Sequence, residues 1–422
     1  MKISFKKNIT EKNIIILLIL LALAVRLPAI VIFGDTELQF EWKFLVENLI
    51  EYKQLAWKNC EFDYSGTELC LEKGFLLPNL WMPPLYAYYL YLFSFLSSSE
   101  QVYIQLVLLS QAVFATISIV LFYKLNKNFF SRNLSFFSSL LFSFFPLYVY
   151  ACTQISSISL QVFLTILFLY SFFKLIEKRI FFLLFLFAFS GGLLILLRGE
   201  FYAILILTLF YLFFFFKLKI KNILLITLIT LISVSPYLIR NVIVFEKFTM
   251  IKSFGYNLWK GNHPYALKNS LIVGAEMVDK NLQAELDKIP RDKNYRFHFD
   301  KLFLNRAIKN ITENPKDHFF LFIRKVFSFL LIDLKSPDPN YYNRLHYLPV
   351  LLIGVTSILG MIISNKKSNK LNYLLLIFFA YVFIFSTVSI LPRYKLIILP
   401  IQIIFTNVLI QSLNKFLYRN ER

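Results

Sequence analysis

Two carboxylates one residue apart, Asp35 and Glu37, follow an apolar run from Asn13 to Phe33 that stops abruptly at Gly34. The run is about long enough to cross a bilayer at roughly 1.5 Å per residue. A carboxylate where the chain leaves hydrocarbon can take a proton from a hydroxyl, bind a cation, or cap the helix that follows. Arg198, Arg240, Lys260 and Arg393 stand at predicted outer ends of helices or in a basic loop. A guanidinium fits a phosphate bidentately, although the commoner use of such residues is to anchor helix ends at lipid headgroups. Tyr256, Asn257, Trp259, Asn262 and His263 offer stacking and hydrogen-bonding groups suited to a sugar ring. Gly255 and Gly261 beside them equally suit a tight turn with no ligand.

These groups sit in a chain of 422 residues, 58% hydrophobic and 17% charged, with repeated apolar runs of 18 residues or more. That composition defines an all-α polytopic membrane protein forming one integrated bundle. Arg26, Leu27 and Pro28 stand where a secretory signal would carry small residues at a cleavage site, so the first run is read as a retained helix. The formal charge of +20 is not a nucleic-acid signature, because 19 of the 45 basic residues fall in short polar breaks or at the two ends of the chain. Such bias marks the cytoplasmic side. It puts both termini there and the two long polar segments outside.

About ten spans are expected: helix 1, then 101–123, 134–152, 156–173, 180–197, 200–216, 222–239, 346–364, 371–391 and 395–413. The first outer loop, 34–100, holds two expected interfacial helices, one over 36–53 with apolar residues at helical spacing and one after Pro84 rich in tyrosine. An irregular polar stretch, 59–74, lies between them. The second outer segment, 240–345, ends in a third interfacial helix, because Arg324 and Lys325 interrupt its apolar run where a span would be penalised. The remaining chain, 346–422, supplies the last spans. Pro146, Pro236 and Pro400 are expected at helix ends. Gly34 to Glu100 carries ten acidic residues and four lysines, whereas Arg240 to Leu345 carries eighteen Lys/Arg against eleven Asp/Glu. An acidic loop facing a basic one could hold a nucleophile next to an anionic headgroup.

Cys60 and Cys70 share the first outer loop, where an oxidising compartment would allow a disulfide. Cys152 is read as packing. His263, His298, His318 and His346 show no ligand spacing, and no cysteine pattern suggests a structural metal.

Several stretches, in order, carry a family resemblance: FGDTELQF, MPPLYAYYLYLF, LLRGEF, SPYLIRNVIVFEKF, GYNLWKGNHP and LPRYKLIILP. Together they resemble the GT-C superfamily of membrane glycosyltransferases, in particular a bacterial family-39-like group similar to protein O-mannosyltransferases and lipid A aminoarabinose transferases. The resemblance implies an inverting transferase that uses a polyprenyl-phosphate-linked sugar at the outer face of a bacterial cytoplasmic membrane. It also implies a glycolipid, polysaccharide or protein acceptor. Asp35 falls at the position of the catalytic base, and Asp35-Thr36-Glu37 fits the relaxed Asp-x-Asp pattern, with Glu37 placed to bind a divalent ion or the acceptor. Arg240, Arg393, Arg198 and Lys260 become candidates for the donor phosphate. Met82 departs from the aminoarabinose enzymes, which often carry a lysine before the Pro-Pro pair.

Two other classes compete. A lipid-linked glycan transporter or flippase would bury ionisable groups in its spans, where this chain has almost none besides Arg26. A glycan polymerase or ligase would use similar donors but has no need of an acidic pair after helix 1.

Overall fold

The computed structural model describes residues 10–38, 40–58, 60–62, 68–70, 76–97, 99–271, 277–332, 344–364 and 368–420. Helix α1 (Glu11–Phe33) starts at Thr10, whose hydroxyl accepts the Asn13 N–H. It ends at Gly34, where a Cβ would lie 2.4 Å from the Ile30 carbonyl oxygen and 2.9 Å from the Leu108 side chain. Only glycine lets the chain leave α1 this close to its neighbour.

Helix α2 (Phe40–Tyr52) is shorter than the expected 36–53. It buries Leu45, Val46, Asn48 and Leu49 and leaves Ile50 and Tyr52 exposed. The stretch expected to be irregular contains two three-residue strands, β2 (Cys60–Phe62) and β3 (Glu68–Cys70), and two more flank it, β1 (Ala56–Lys58) and β4 (Leu76–Pro78). They pair antiparallel as β1–β4 and β2–β3. Cys60 and Cys70 are register partners across the second pair, and their side chains lie outside those described. In α3 (Pro84–Ser94) Tyr86 faces the bundle rather than a headgroup layer, and its hydroxyl donates to Gln111 at 3.2 Å.

The bundle continues with α4 (Glu100–Asn126), α5 (Arg132–Phe144), α6 (Pro146–Thr153), α7 (Ile158–Lys178) and α8 (Phe181–Leu197). Then come α9 (Phe201–Phe214) and α10 (Ile220–Phe245). The expected span 134–152 is broken: α5 and α6 meet at Phe145–Pro146 with a 47° bend, because proline cannot donate the hydrogen bond that would continue α5. Pro236, expected at a helix end, lies inside α10.

Beyond α10 lie α11 (Phe254–Gly261), α12 (Pro264–Lys268), α13 (Lys280–Leu286), α14 (Tyr295–Glu313) and α15 (Pro315–Leu330). The last elements are α16 (Arg344–Ile362), α17 (Asn369–Thr387), a 3₁₀ segment (Pro392–Ile397) and α18 (Leu399–Asn420). The glycine-rich stretch read as a turn is the helix α11. Its glycines serve close packing: a Cβ on Gly255 would stand 2.0 Å from the Asp300 carbonyl oxygen, and one on Gly261 would stand 2.3 Å from Val388 backbone.

Each expected span is met by a helix or a bent pair. Among the described residues α1, α4, α7, α10, α16 and α17 are long and apolar enough to cross a membrane alone, and α5 with α6 makes a seventh if the bent pair is one span. The protein is an integral membrane protein. Inside the bundle many serine and threonine hydroxyls return to their own helix, as Thr116 does to Ala112 and Ser139 to Ser135, while Thr230 donates across to Ala188. Phe172 stacks on Tyr373 at 3.7 Å, fastening α7 to α17.

The two charges in α15 have separate fates. Arg324 reaches the carbonyls of Ala266, Leu267 and Asn269, closing the C-terminal end of α12. Lys325 is buried, with Asn262 Oδ1 3.5 Å away. Burial pulls its ammonium down to about 7.

Candidate active site

The described chemistry-bearing residues gather at one end of the bundle, where α1, α8, α10 and α17 finish and α4, α7 and α18 begin. Asp35 is fastened twice to the break between α6 and α7. Its backbone N–H donates to the Thr153 carbonyl at 2.9 Å, and its Oδ2 accepts the Ile155 N–H at 2.6 Å. The carboxylate is therefore not the cap of α2, which begins five residues later. Instead the Leu38 N–H donates to Glu100. Half-buried, Asp35 has its carboxyl pushed up from the ordinary value by desolvation, with the Ile155 N–H opposing. A raised carboxyl is a stronger proton acceptor. Glu37 is exposed, and its carboxylate makes no hydrogen bond among the described residues.

The same α6–α7 break is tied to α2 through a polar chain. Gln111 donates to the Gln154 carbonyl at 2.9 Å, Tyr86 donates to Gln111, and Trp42 lies edge-on to Tyr86 at 4.8 Å.

Cations arrive from separate elements. Arg393 lies exposed on the 3₁₀ segment, which Tyr148 anchors by donating to the Leu396 carbonyl at 2.6 Å. Arg198, at the end of α8, donates to Gln161 at 3.0 Å and lies 5.0 Å from the Tyr394 ring centre, so its partner is not Glu200. Lys260 sits over Tyr256 at 5.4 Å. Arg296, which sequence reading did not single out, lies 5.0 Å from Trp81 and 5.5 Å from Trp57. Arg393, Lys260 and Arg296 all act on Glu41, another residue the sequence reading passed over. Glu41 is exposed to water. Desolvation raises its carboxyl and the three cations oppose that rise. The available signal was interleaving, since Arg296 stands among Tyr295, Phe297 and Phe299.

Arg240 is committed differently. It donates to the carbonyls of Asn79 at 3.0 Å and Leu55 at 2.9 Å and to Asn241 at 2.8 Å. It thereby pins the β1–β4 pair to α10.

The expected sugar-contact residues divide between packing and half-buried positions. Trp259 is buried against Phe303 at 4.8 Å and His263 at 5.0 Å. Asn262 is buried and donates to the Thr387 carbonyl at 3.0 Å, while His263 accepts the Tyr265 N–H at the start of α12. Burial lowers the His263 imidazole, with Asp279 opposing. The Asn257 carbonyl accepts the Ser389 N–H at 3.1 Å, tying α11 to the strap that carries Arg393. Tyr256 stays half-buried beside Trp81, ring centres 4.9 Å apart. Asp300 fixes the start of α11 by accepting the N–H groups of Gly255 at 2.7 Å and Tyr256 at 3.3 Å, and its burial raises its carboxyl. No group of three His, Cys, Asp or Glu that could hold a metal ion occurs among the described residues, and Asp35 and Glu37 do not gather a third such ligand.

A family model described as dolichyl-phosphate-mannose-protein mannosyltransferase matches residues 82–239. Among solved structures, the oligosaccharyltransferase AglB from Archaeoglobus fulgidus, in complex with an inhibitory peptide and a dolichol-phosphate, superposes with a TM-score of 0.55 at 11% identity. The match covers 99% of this chain and 52% of that one. The apo form of the Archaeoglobus fulgidus oligosaccharyltransferase matches at TM-score 0.53 and 12% identity over 98% of this chain and 52% of its own. The chain has the GT-C fold. It spans about half the length of the oligosaccharyltransferase it matches. ArnT from Cupriavidus metallidurans, bound to undecaprenyl phosphate, matches at TM-score 0.44 and 11% identity over 95% of this chain and 77% of its own. No curated protein matches.

Proposed function

We propose that this protein is an inverting glycosyltransferase that moves a sugar from a polyprenyl-phosphate-linked donor to a hydroxyl acceptor. The observation that carries the reading is that one end of the bundle holds both a backbone-fixed carboxylate, Asp35, and the cations Arg198, Arg393, Lys260 and Arg296. The family-model match, and the lipid phosphates bound by AglB and ArnT, support the donor class. Asp35 takes the acceptor proton as the oxygen bonds to the anomeric carbon. The carbon–oxygen bond to phosphate breaks, and the electron pair leaves with the lipid phosphate. Because the departing group is an anion, it requires cations rather than an acid, and Arg393, Lys260, Arg296 and Arg198 supply them. Arg240 acts by holding the first loop in place. Tyr256, beside Trp81, offers the donor sugar an aromatic face, with Asn257 at the rim. Glu37 meets the acceptor or a divalent ion.

Lys/Arg bias in the short loops supports an outward-facing site, both termini cytoplasmic and residence in a bacterial cytoplasmic membrane. The near absence of ionisable groups in the spans favours a transferase over a flippase. Deleting the gene and profiling envelope glycolipids, polysaccharides and glycoproteins by mass spectrometry tests the assignment. One sugar is expected to disappear from one acceptor class. An unaltered envelope, with an intact lipid-linked sugar pool, would contradict it.

A further inference from the structure

We propose that Gln111 is the positioning residue of the base: it holds the peptide group between Gln154 and Ile155, whose N–H fixes Asp35 through Oδ2 and leaves Oδ1 to receive the acceptor proton. The inference rests on the transferase reading above and deepens it by assigning what aims the carboxylate.

One peptide plane carries both contacts. Its carbonyl, that of Gln154, accepts the Gln111 Nε2–H at 2.9 Å, and its N–H, that of Ile155, donates to Asp35 Oδ2 at 2.6 Å. A rigid peptide cannot turn its carbonyl without turning its N–H, so gripping one end aims the other. The Asp35 backbone N–H is held separately by the Thr153 carbonyl. Gln111 therefore governs where the side chain points rather than where the chain runs. Oδ1 makes no hydrogen bond among the described residues.

The fold brings Gln111 level with the base. Gly34 passes close against Leu108, and Gln111 lies three residues further along α4, on the same face. Gln111 is fully buried in that apolar helix, where an amide is costly unless it is bonded. Its Oε1 accepts the Tyr86 hydroxyl at 3.2 Å. From Tyr86 through Gln111 and the peptide to Asp35, each group donates to the next, so each bond polarises the one that follows and strengthens the N–H offered to the carboxylate. That N–H opposes the rise that burial imposes on the Asp35 carboxyl. The titratable groups on the surrounding elements are Arg26 on α1, the exposed Glu37, Glu100 and Tyr103 on α4, Tyr148 on α6 and His346 on α16. None of them bonds to Asp35 or acts on its charge. Loss of Gln111 should accordingly raise the carboxyl further and free it to swing.

Nuclear magnetic resonance on the full-length protein reads the clamp without turnover. Carbon-13 in glutamine carbonyls with nitrogen-15 in isoleucine amides marks two peptides, Gln154–Ile155 and Gln402–Ile403, and Ile403→Val removes the second signal. In the wild type the Ile155 amide is expected to shift as Asp35 titrates, and in Asp35→Asn it should not. In Gln111→Met the midpoint of that titration should move to higher pH. Transfer of the sugar that gene deletion removes should follow: its acidic limb moves with the midpoint, and kcat falls about tenfold while the donor KM holds. Tyr86→Phe/Gln111→Met, which also removes the hydroxyl that Gln111 accepts, should behave alike. An Ile155 amide that ignores Asp35 overturns the inference, as does a folded Gln111 variant that keeps the wild-type midpoint. A midpoint that moves while the acidic limb of transfer stays put would instead refute Asp35 as the base, the reading beneath the inference. A merely structural Gln111 would lower the unfolding temperature and leave the midpoint unchanged.

Discussion

The two ends of the bundle treat their carboxyls differently: Lys127 holds Glu11 below its ordinary value at one end, and burial raises Asp35, Glu41 and Asp300 at the other. At the end away from Asp35, charges meet as contacting pairs: Lys127 with Glu11 at 2.7 Å, and Glu177 with Lys174 at 2.8 Å and Lys370 at 3.2 Å. These groups are largely open to water, where such pairs contribute less than about 1 kcal/mol each. At the Asp35 end, Asp35 and Asp300 accept backbone N–H groups and Glu41 accepts none, and burial raises all three carboxyls. The Asp35 end has contacting pairs too, Lys293 with Glu246 at 2.7 Å and Arg306 with Glu285 at 2.6 Å. What sets it apart is carboxyls that burial raises, the setting a proton acceptor requires.

The comparison can be broken at either end. The largest effect is expected from Gly261→Val, which drives a side chain into the backbone at Val388 and separates α11 from the Arg393 strap. Transfer should fall to background, and Lys260 should become freely labelled by amine reagents. Wild-type activity would show that the close approach is dispensable. Next comes Arg393→Ala, expected to raise the donor KM roughly tenfold or more while the acceptor KM holds. An unchanged donor KM would remove Arg393 from the residues that bind the donor phosphate.

The pH dependence follows from the raised carboxyl of Asp35. The base must be ionised, so transfer should fail on acidification with a midpoint above the ordinary value of 3.8. That limb should be missing from any residual activity of Asp35→Asn. Lys325 sharpens the picture through stability. Its ammonium titrates near 7 when folded and near 10.5 when unfolded, so the unfolded chain binds more protons between those values and stability rises with pH across that window. Lys325→Met should reduce that slope in thermal unfolding, Lys395 remaining as a second buried lysine. A variant that kept the wild-type slope would mean that the lysine is not responsible. The smallest effect is expected from Lys127→Ala at the opposite end, less than about 1 kcal/mol in stability with transfer intact. A large loss of activity there would erase the contrast between the ends.

Much of this was legible in the sequence, for identifiable reasons. Hydrocarbon demands long apolar runs, so the apolar helices α1, α4 to α10 and α16 to α18 could be located, most of their ends within a few residues, whereas α12 to α14 had no expected bounds; Gly34 announced where α1 stops. Asp35 could be located because its position depends on that boundary alone. The residues around it could not, since Thr153 and Ile155 reach it only through the bend at Pro146. Gly255 and Gly261 read as turn residues because sequence reveals backbone freedom but not a neighbouring backbone pressed against it. Glu41 and Arg296 passed as solvated charges of amphipathic helices. Only the assembled tertiary structure brings Arg296 against Trp81 and Trp57, and Lys260 against the neighbouring Tyr256.

The most direct measurement compares transfer and phosphate binding in Asp35→Asn, purified with its membrane lipid. Transfer is expected to fall by about 10²-fold or more while affinity for farnesyl phosphate stays at the wild-type value. Full transfer activity in that variant would contradict the account, because the carboxylate at position 35 would then not be the group that receives the acceptor proton.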